Sequence, residues 1–225
     1  MSEGDLAFDL FQPVQASACF LHGGIHVWRF FSAPDDEIFL SPEEAARAVK
    51  YQSTAARAAY LAGRAGLRRA AALYSKVPPQ ELRISIDGNG KPFFENAGIH
   101  FNLSHSGSAI VGAFSEAPVG LDIESRGRCH DFVAIARRFF HPSEADSLAA
   151  APDEEDFLRL WTGKEAMLKL SGEGLAGGLL EARPGERGIG TLGDREVHIT
   201  RFSFENTVGS VASFQPAEVK GWFQF

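Results

Sequence analysis

The period of hydrophobic and polar positions changes several times along the chain, and each change marks an element. Residues 25–31 (IHVWRFF) are rich in β-branched and aromatic side chains and predict a strand, followed by a turn at Pro34, Asp35 and Asp36. Ser41-Pro42-Glu43-Glu44 reads as a helix start: a hydroxyl at the cap, proline at the first helical position, and glutamate three residues after the serine. An alanine- and arginine-rich helical region in two pieces runs to about Ser75, where Pro78-Pro79 ends it. Residues 82–86 (LRISI) predict a strand closed by the turn Asp87-Gly88-Asn89-Gly90, and further strands are predicted at 99–103, 108–114 and 118–124. Helical spacing then covers 131–138, 143–150 and 153–171, the last stopped by Gly172. The tail from about 179 to 225 reads as several strands between Gly and Pro turns, whereas residues 1–24 show no firm period.

Strand, helix, strands, helices, strands is an α+β order rather than strict alternation. Residues 100–114 (HFNLSHSGSAIVGAF) and 198–214 (HITRFSFENTVGSVASF) echo one another, each starting on His and ending on Phe. That echo suits a chain of two similar α+β halves, 1–116 and 117–225.

Composition narrows the class. Apolar residues make up 44 % and charged residues 23 % of 225, as in an ordinary globular protein. A formal net charge of -7 argues against broad nucleic-acid binding but leaves room for a local basic pocket. Two cysteines, Cys19 and Cys129, make neither a disulfide framework nor a zinc cluster, and free thiols in a reducing cytoplasm are the expectation. The N-terminus has acids where a signal peptide needs a positive start, and no run reaches the roughly 18 apolar residues of a membrane helix. A cytoplasmic protein with no membrane span is therefore expected.

The candidate chemistry begins at 119–124 (VGLDIE). On a strand, Val119, Leu121 and Ile123 share one face, while Asp122 and Glu124 share the other beside Gly120. Adjacent carboxylates repel unless a cation or solvent screens them, and magnesium takes such oxygen ligands together with phosphate oxygens. A solvated acidic face is the other reading of the same pattern. Glu165 lies four residues after Trp161 and three before Leu168, beside the apolar stripe of its helix, where a carboxylate needs a partner or a metal. Lys169 follows one turn on, which also fits an ordinary surface Glu–Lys pair.

FNLSHSG at 101–107, shortly after Gly90-Lys91-Pro92, gathers small polar groups suited to phosphate. Lys91 would act as a point charge, and His105 and the serines, Ser104 among them, as hydrogen-bond donors. No Walker-type loop and no G-x-S-x-G elbow is present, so neither a P-loop nor an α/β-hydrolase nucleophile is indicated. Arg57 and Arg64, seven residues apart, share a helix face, with Arg47, Arg68 and Arg69 adding charge. They form a candidate phosphate pocket or a row of solvated arginines.

Taken together, G-K-P at 90–92, FNLSHS at 101–106, GLDIE at 120–124 and WTGKEAMLK at 161–169 resemble the larger, surfactin-synthetase-activating type of 4′-phosphopantetheinyl transferase. The resemblance spans about residues 25–175 and extends to IHVW at 25–28, LSPEE at 40–44 and the glycine turn at 172–175. It implies a pseudo-twofold fold of two similar α+β halves with the active site between them. It further implies Mg2+ held by Asp122, Glu124 and Glu165, and coenzyme A as co-substrate. Lys169 would contact the pyrophosphate; Lys91, Ser104 and His105 the nucleotide end; Arg57 and Arg64 the 3′-phosphate. Glu144 matches an acidic position near the cleft. The partner implied is an apo acyl or peptidyl carrier protein, the leaving group adenosine 3′,5′-bisphosphate, and the enzyme a monomer. Glu165 would serve as base, as ligand or as both. The chain departs from some members at Ala59, where they carry arginine. Two rival readings use the same residues: a metal-dependent phosphate-ester hydrolase, and a non-catalytic relative that binds coenzyme A or a carrier.

Overall fold

The structure is a computed structural model that describes residues 11–13, 23–129, 131–172, 178–185 and 187–225. Expectations on residues 1–10 and 14–22, on Cys19 and on 173–175 lie outside the described residues. Strand β1 (Gln12–Pro13) is followed by β2 (Ile25–Arg29), which ends two residues before the predicted run does; Phe30 is still buried and Phe31 is exposed. Helix α1 (Pro42–Ala48) starts where the capping signal places it. Ser41 Oγ accepts from the Glu44 N–H at 3.3 Å, and Glu44 Oε2 accepts from the Ser41 N–H at 3.1 Å. The second helical piece is α2 (Thr54–Ser75), stopped by Lys76 in the left-handed conformation, two residues before Pro78. The turn at 87–90 folds β3 (Ile84–Ile86) back onto β4 (Pro92–Phe94), a strand the hydrophobic pattern does not announce because only three residues pair.

Strands β5 (His100–Ser106), β6 (Ala109–Ser115) and β7 (Val119–Ser125) come next, then helices α3 (Phe132–Phe139), α4 (Pro142–Ala150) and α5 (Glu154–Ser171). Gly172 ends α5 with a left-handed φ of 79°. The short α6 (Gly178–Glu181) leads into β8 (Ala182–Arg183), β9 (Ile189–Leu192), β10 (Arg195–Phe204), β11 (Thr207–Ser213) and β12 (Val219–Gln224). The α+β class predicted from the element order is the class observed. The two echoing segments each fold as an antiparallel hairpin, β5–β6 and β10–β11.

The chain divides into two units. One comprises Phe11–Ala117 and Glu218–Phe225, with sheet order β1-β12-β2-β6-β5. The other holds Pro118–Ala217 of the described chain, with sheet order β7-β11-β10-β9-β8. The tail thus differs from the sequence division at 116/117, which assigns everything to residue 225 to the second half. The cause is β12, which pairs in parallel with β2 and with β1, a long-range match that local periodicity does not contain.

In the first unit, Trp28, Phe30, Leu67, Ala70, Leu82, Phe101 and Phe114 build the core. The Trp28 ring lies 4.8 Å from Phe223 and 4.7 Å from Phe225, and its Nε1–H donates to the Tyr74 hydroxyl at 2.7 Å. In the second unit, α5 packs against β7 and β11. Gly120 makes this possible: a Cβ there would stand 1.9 Å from the Ala166 carbonyl oxygen of α5. Gly120 therefore admits the helix backbone, rather than leaving open space beside the carboxylates.

Candidate functional site

Strand alternation and helical spacing meet in the second unit. Gly120, Asp122 and Glu124 occupy alternate positions of β7, and Gly120 faces α5, so the Asp122 side chain faces α5 too. Asp122 is 5 % exposed, which sets aside the solvated-strand reading for this residue. On α5, Thr162, Glu165 and Lys169 recur at spacings of three and four, one stripe of the helix. Lys169 Nζ donates to Asp122 Oδ1 at 2.6 Å.

Glu165 is 7 % exposed. Burial pushes its carboxyl up to about 7; Asp122 and, more weakly, Glu124 push the same way, and Lys169 opposes them. Two acids and one ammonium thus act on Glu165 within its own unit.

Among the described residues no three His, Cys, Asp or Glu side chains stand together as a formed metal cage. Asp122 instead engages Lys169. The donor set nevertheless suits a hard divalent cation. It is all carboxylate oxygen, it lies on two secondary-structure elements, and a cation there would offset the mutual repulsion of the acids around Glu165. Glu124, half-buried, also lines a largely apolar cavity of about 210 Å³ with Cys129, Ile135, Phe157, Leu158 and Trp161. Cys129 carries no disulfide, and burial raises its thiol pKa.

Sequence reasoning passed over the lysine next to Glu165. Lys164 is fully buried and donates to the carbonyls of Leu179 (2.9 Å) and Ala182 (2.5 Å). It pairs with Glu144 Oε2 at 2.8 Å and lies 4.9 Å from the Phe140 ring centre. Burial lowers its pKa and Glu144 counters that. Glu144 also closes the N-terminal capping box of α4, accepting from His141 N–H at 3.1 Å. The acidic position that the resemblance singles out thus has a structural occupation. The signal for it was present, since Ser143 and Glu144 follow His141-Pro142, but lysine at position 164 reads as surface by composition alone.

The first unit holds the expected phosphate residues, and they are not all gathered. Lys91 sits half-buried just before β4, its backbone N–H on Asp87 Oδ1 at 2.9 Å and its pKa lowered by burial. Ser104 and His105 are successive residues of β5, so their side chains leave opposite faces; Ser104 is buried and His105 exposed. Arg57 pairs with Glu37 at 2.6 Å, and Arg64 lies 3.7 Å from Glu44. Arg68 is buried and spent on Glu44 and on the carbonyls of Pro79 and Leu82, so it adds no charge to a pocket. Arg47, Lys50 and Tyr51 line a cavity of about 230 Å³, and Arg47 and Arg64 each lie 5.8 Å from the Tyr60 ring centre. Helical spacing alone singles out Arg57 and Arg64 and gives Arg47 a minor place.

Residues 118–203 match a family model described as the 4′-phosphopantetheinyl transferase superfamily, and residues 36–117 match one described as 4′-phosphopantetheinyl transferase, N-terminal. The chain is 33 % identical over 178 residues to the 4′-phosphopantetheinyl transferase HetI of Nostoc, an alignment covering 73 % of this chain and 75 % of that protein. It is 32 % identical over 160 residues to the 4′-phosphopantetheinyl transferase Sfp of Bacillus subtilis, covering 68 % and 70 %. With the 4′-phosphopantetheinyl transferase psf-1 of Bacillus pumilus it shares 43 % identity over 122 residues, covering 52 % of each chain. No helix among the described residues is long and apolar enough to cross a membrane.

Proposed function

The chain belongs to the 4′-phosphopantetheinyl transferase superfamily, and from that premise we propose that it moves the phosphopantetheine arm of coenzyme A onto a serine of an apo acyl or peptidyl carrier protein, with magnesium. It is a transferase of the holo-carrier-protein synthase kind. The observation that carries the proposal is the buried carboxylate of Glu165, set on α5 near Asp122 and Lys169 and raised to about 7.

In the proposed reaction the serine oxygen bonds to the β-phosphorus of coenzyme A. The bond from that phosphorus to the bridging oxygen breaks, and adenosine 3′,5′-bisphosphate leaves with the electron pair. Magnesium, held by Asp122, Glu124 and Glu165, would supply positive charge against the pyrophosphate. Lys169 would turn its ammonium from Asp122 toward the same charge. Glu165, a buried carboxylate on α5, is assigned to take the serine proton, to hold the metal, or both. Such a displacement asks mainly for positioning and charge neutralisation. Lys91, Ser104 and His105 are assigned to the nucleotide end. Arg57 and Arg64 are assigned to the 3′-phosphate, with Arg47 and Lys50 as a second basic pair one helix away.

The test is mass spectrometry of an apo carrier protein after incubation with the chain, coenzyme A and magnesium. A carrier heavier by one phosphopantetheine supports the proposal, and a chelator should abolish the gain until magnesium is restored. Asp122→Ala and Glu165→Ala should each abolish transfer with the fold retained. Wild-type turnover in either variant would overturn the metal assignment. Free adenosine bisphosphate with an unmodified carrier would point to a hydrolase instead, and binding without turnover to a non-catalytic role.

A further inference from the structure

Two buried hydroxyls lie beside the carboxylates without a part in the proposed chemistry. Thr162 on α5 and Ser210 on β11 are both fully buried, and their oxygens stand 3.0 Å apart. Ser210 is the register partner of Asp122 across the antiparallel β7–β11 ladder, so the two side chains are neighbours on one face of the sheet. Thr162 precedes Glu165 by three residues, and Lys169 follows it by four. Glu165 is therefore bracketed along the helix by two cross-links, Thr162 to Ser210 and Lys169 to Asp122. Both land on the same rung of the sheet. Gly120, two residues before Asp122, removes the Cβ that would hold the helix off.

We propose that the Thr162–Ser210 hydroxyl pair is a positioning device that fixes the turn of α5 bearing Glu165 over the Asp122 position of β7, and so sets the separation of the two carboxylates that take the cation. The inference rests on the reading of Asp122 and Glu165 as metal ligands. Packing alone does not require hydroxyls here. Valine has the shape of threonine and alanine nearly that of serine, so an apolar pair would fill much of the same space. What the hydroxyls add is direction, because a hydrogen bond between two fully desolvated groups has a preferred geometry and is costly to leave unmade. The link holds at the N-terminal side of Glu165 whether or not Lys169 leaves Asp122 for a substrate phosphate.

Manganese ion, without coenzyme A or carrier, is the probe, and free manganese measured by electron paramagnetic resonance is the readout on the full chain. Thr162→Val and Ser210→Ala should each weaken manganese binding about tenfold, the scale typical of residues that orient ligands. Their circular dichroism should stay native. Thr162→Ser, which keeps the hydroxyl, should restore binding. The double variant Thr162→Val with Ser210→Ala should bind no more weakly than either single one, because both remove one shared interaction. Native affinity in a folded Thr162→Val or Ser210→Ala, or an equal loss in Thr162→Ser, overturns the proposal. Should Thr162→Val fail to fold, Ser210→Ala and Thr162→Ser decide it. Two controls separate this from the reading beneath it. If wild type takes up no manganese, or Glu165→Ala binds it as tightly as wild type, the metal assignment itself fails. If wild type binds, Glu165→Ala does not and Thr162→Val is native, only the hydroxyl pair is refuted.

Discussion

Glu165 illustrates how one side chain acquires its chemistry from its surroundings. Helical spacing places it inward, but an inward glutamate is only a cost until its neighbours are known. Here burial and Asp122 both favour the protonated form, and Lys169 offsets part of that. A stability consequence follows for the metal-free protein. The ordinary carboxyl titrates near 4.5 and the folded one near 7, so between these values the folded state keeps a proton that the unfolded chain has released. This contribution is fully present below pH 4.5 and is lost as pH rises through 7. The melting temperature of chelator-treated protein should therefore fall over that window by a component that Glu165→Gln lacks. Identical pH profiles for the two proteins would show that Glu165 is not held in this way. Asp122 makes the complementary point. The D-x-E pattern was visible in sequence, but only the position of α5 distinguishes a buried acid from a solvated one.

At the scale of the element, α5 is gripped from two sides. One side meets β7 and β11 through Gly120, Asp122 and Ser210. Elsewhere on the helix Lys164 ties α5 to α4 through Glu144, and to α6 and β8 through the carbonyls of Leu179 and Ala182. Breaking a buried ion pair from one side leaves an uncompensated charge, which costs about 3–5 kcal/mol. Lys164→Met should lose stability on that scale, read as a lowered denaturation midpoint, and adding Glu144→Leu should recover only part of it, because the α4 capping box and the donor to the Leu179 and Ala182 carbonyls stay lost. A single variant with near wild-type stability would mean that the pair contributes little. The limits of α5 were legible in the sequence, since Asp153 caps one end and Gly172 stops the other. The destination of its lysine was not, because the carbonyls it satisfies come from residues more than a dozen positions away.

Taken whole, the molecule closes its first unit with its last residues. β12 pairs with β1 and β2, and Phe223 and Phe225 lie against Trp28. Deleting Glu218–Phe225 should destabilise that unit by about 3–5 kcal/mol, because it removes strand β12 and two half-buried aromatics packed on the Trp28 core. Amide exchange should rise in β2 while the β10–β11 hairpin keeps its protection; unchanged protection in β2 would refute this account. Local signals along the chain determined most of the element types, the capping boxes and stops, the α+β class and the motifs that carry the chemistry, because each depends on neighbours within about four residues. Tertiary structure alone decided that β12 returns to the first unit, that α5 settles against Gly120, and that Lys164 is an anchor rather than a surface charge. It also left Arg68 spent on internal partners. Those outcomes depend on contacts between distant segments, where one sheet register or one missing Cβ determines which side chains meet, and no local pattern records such a meeting.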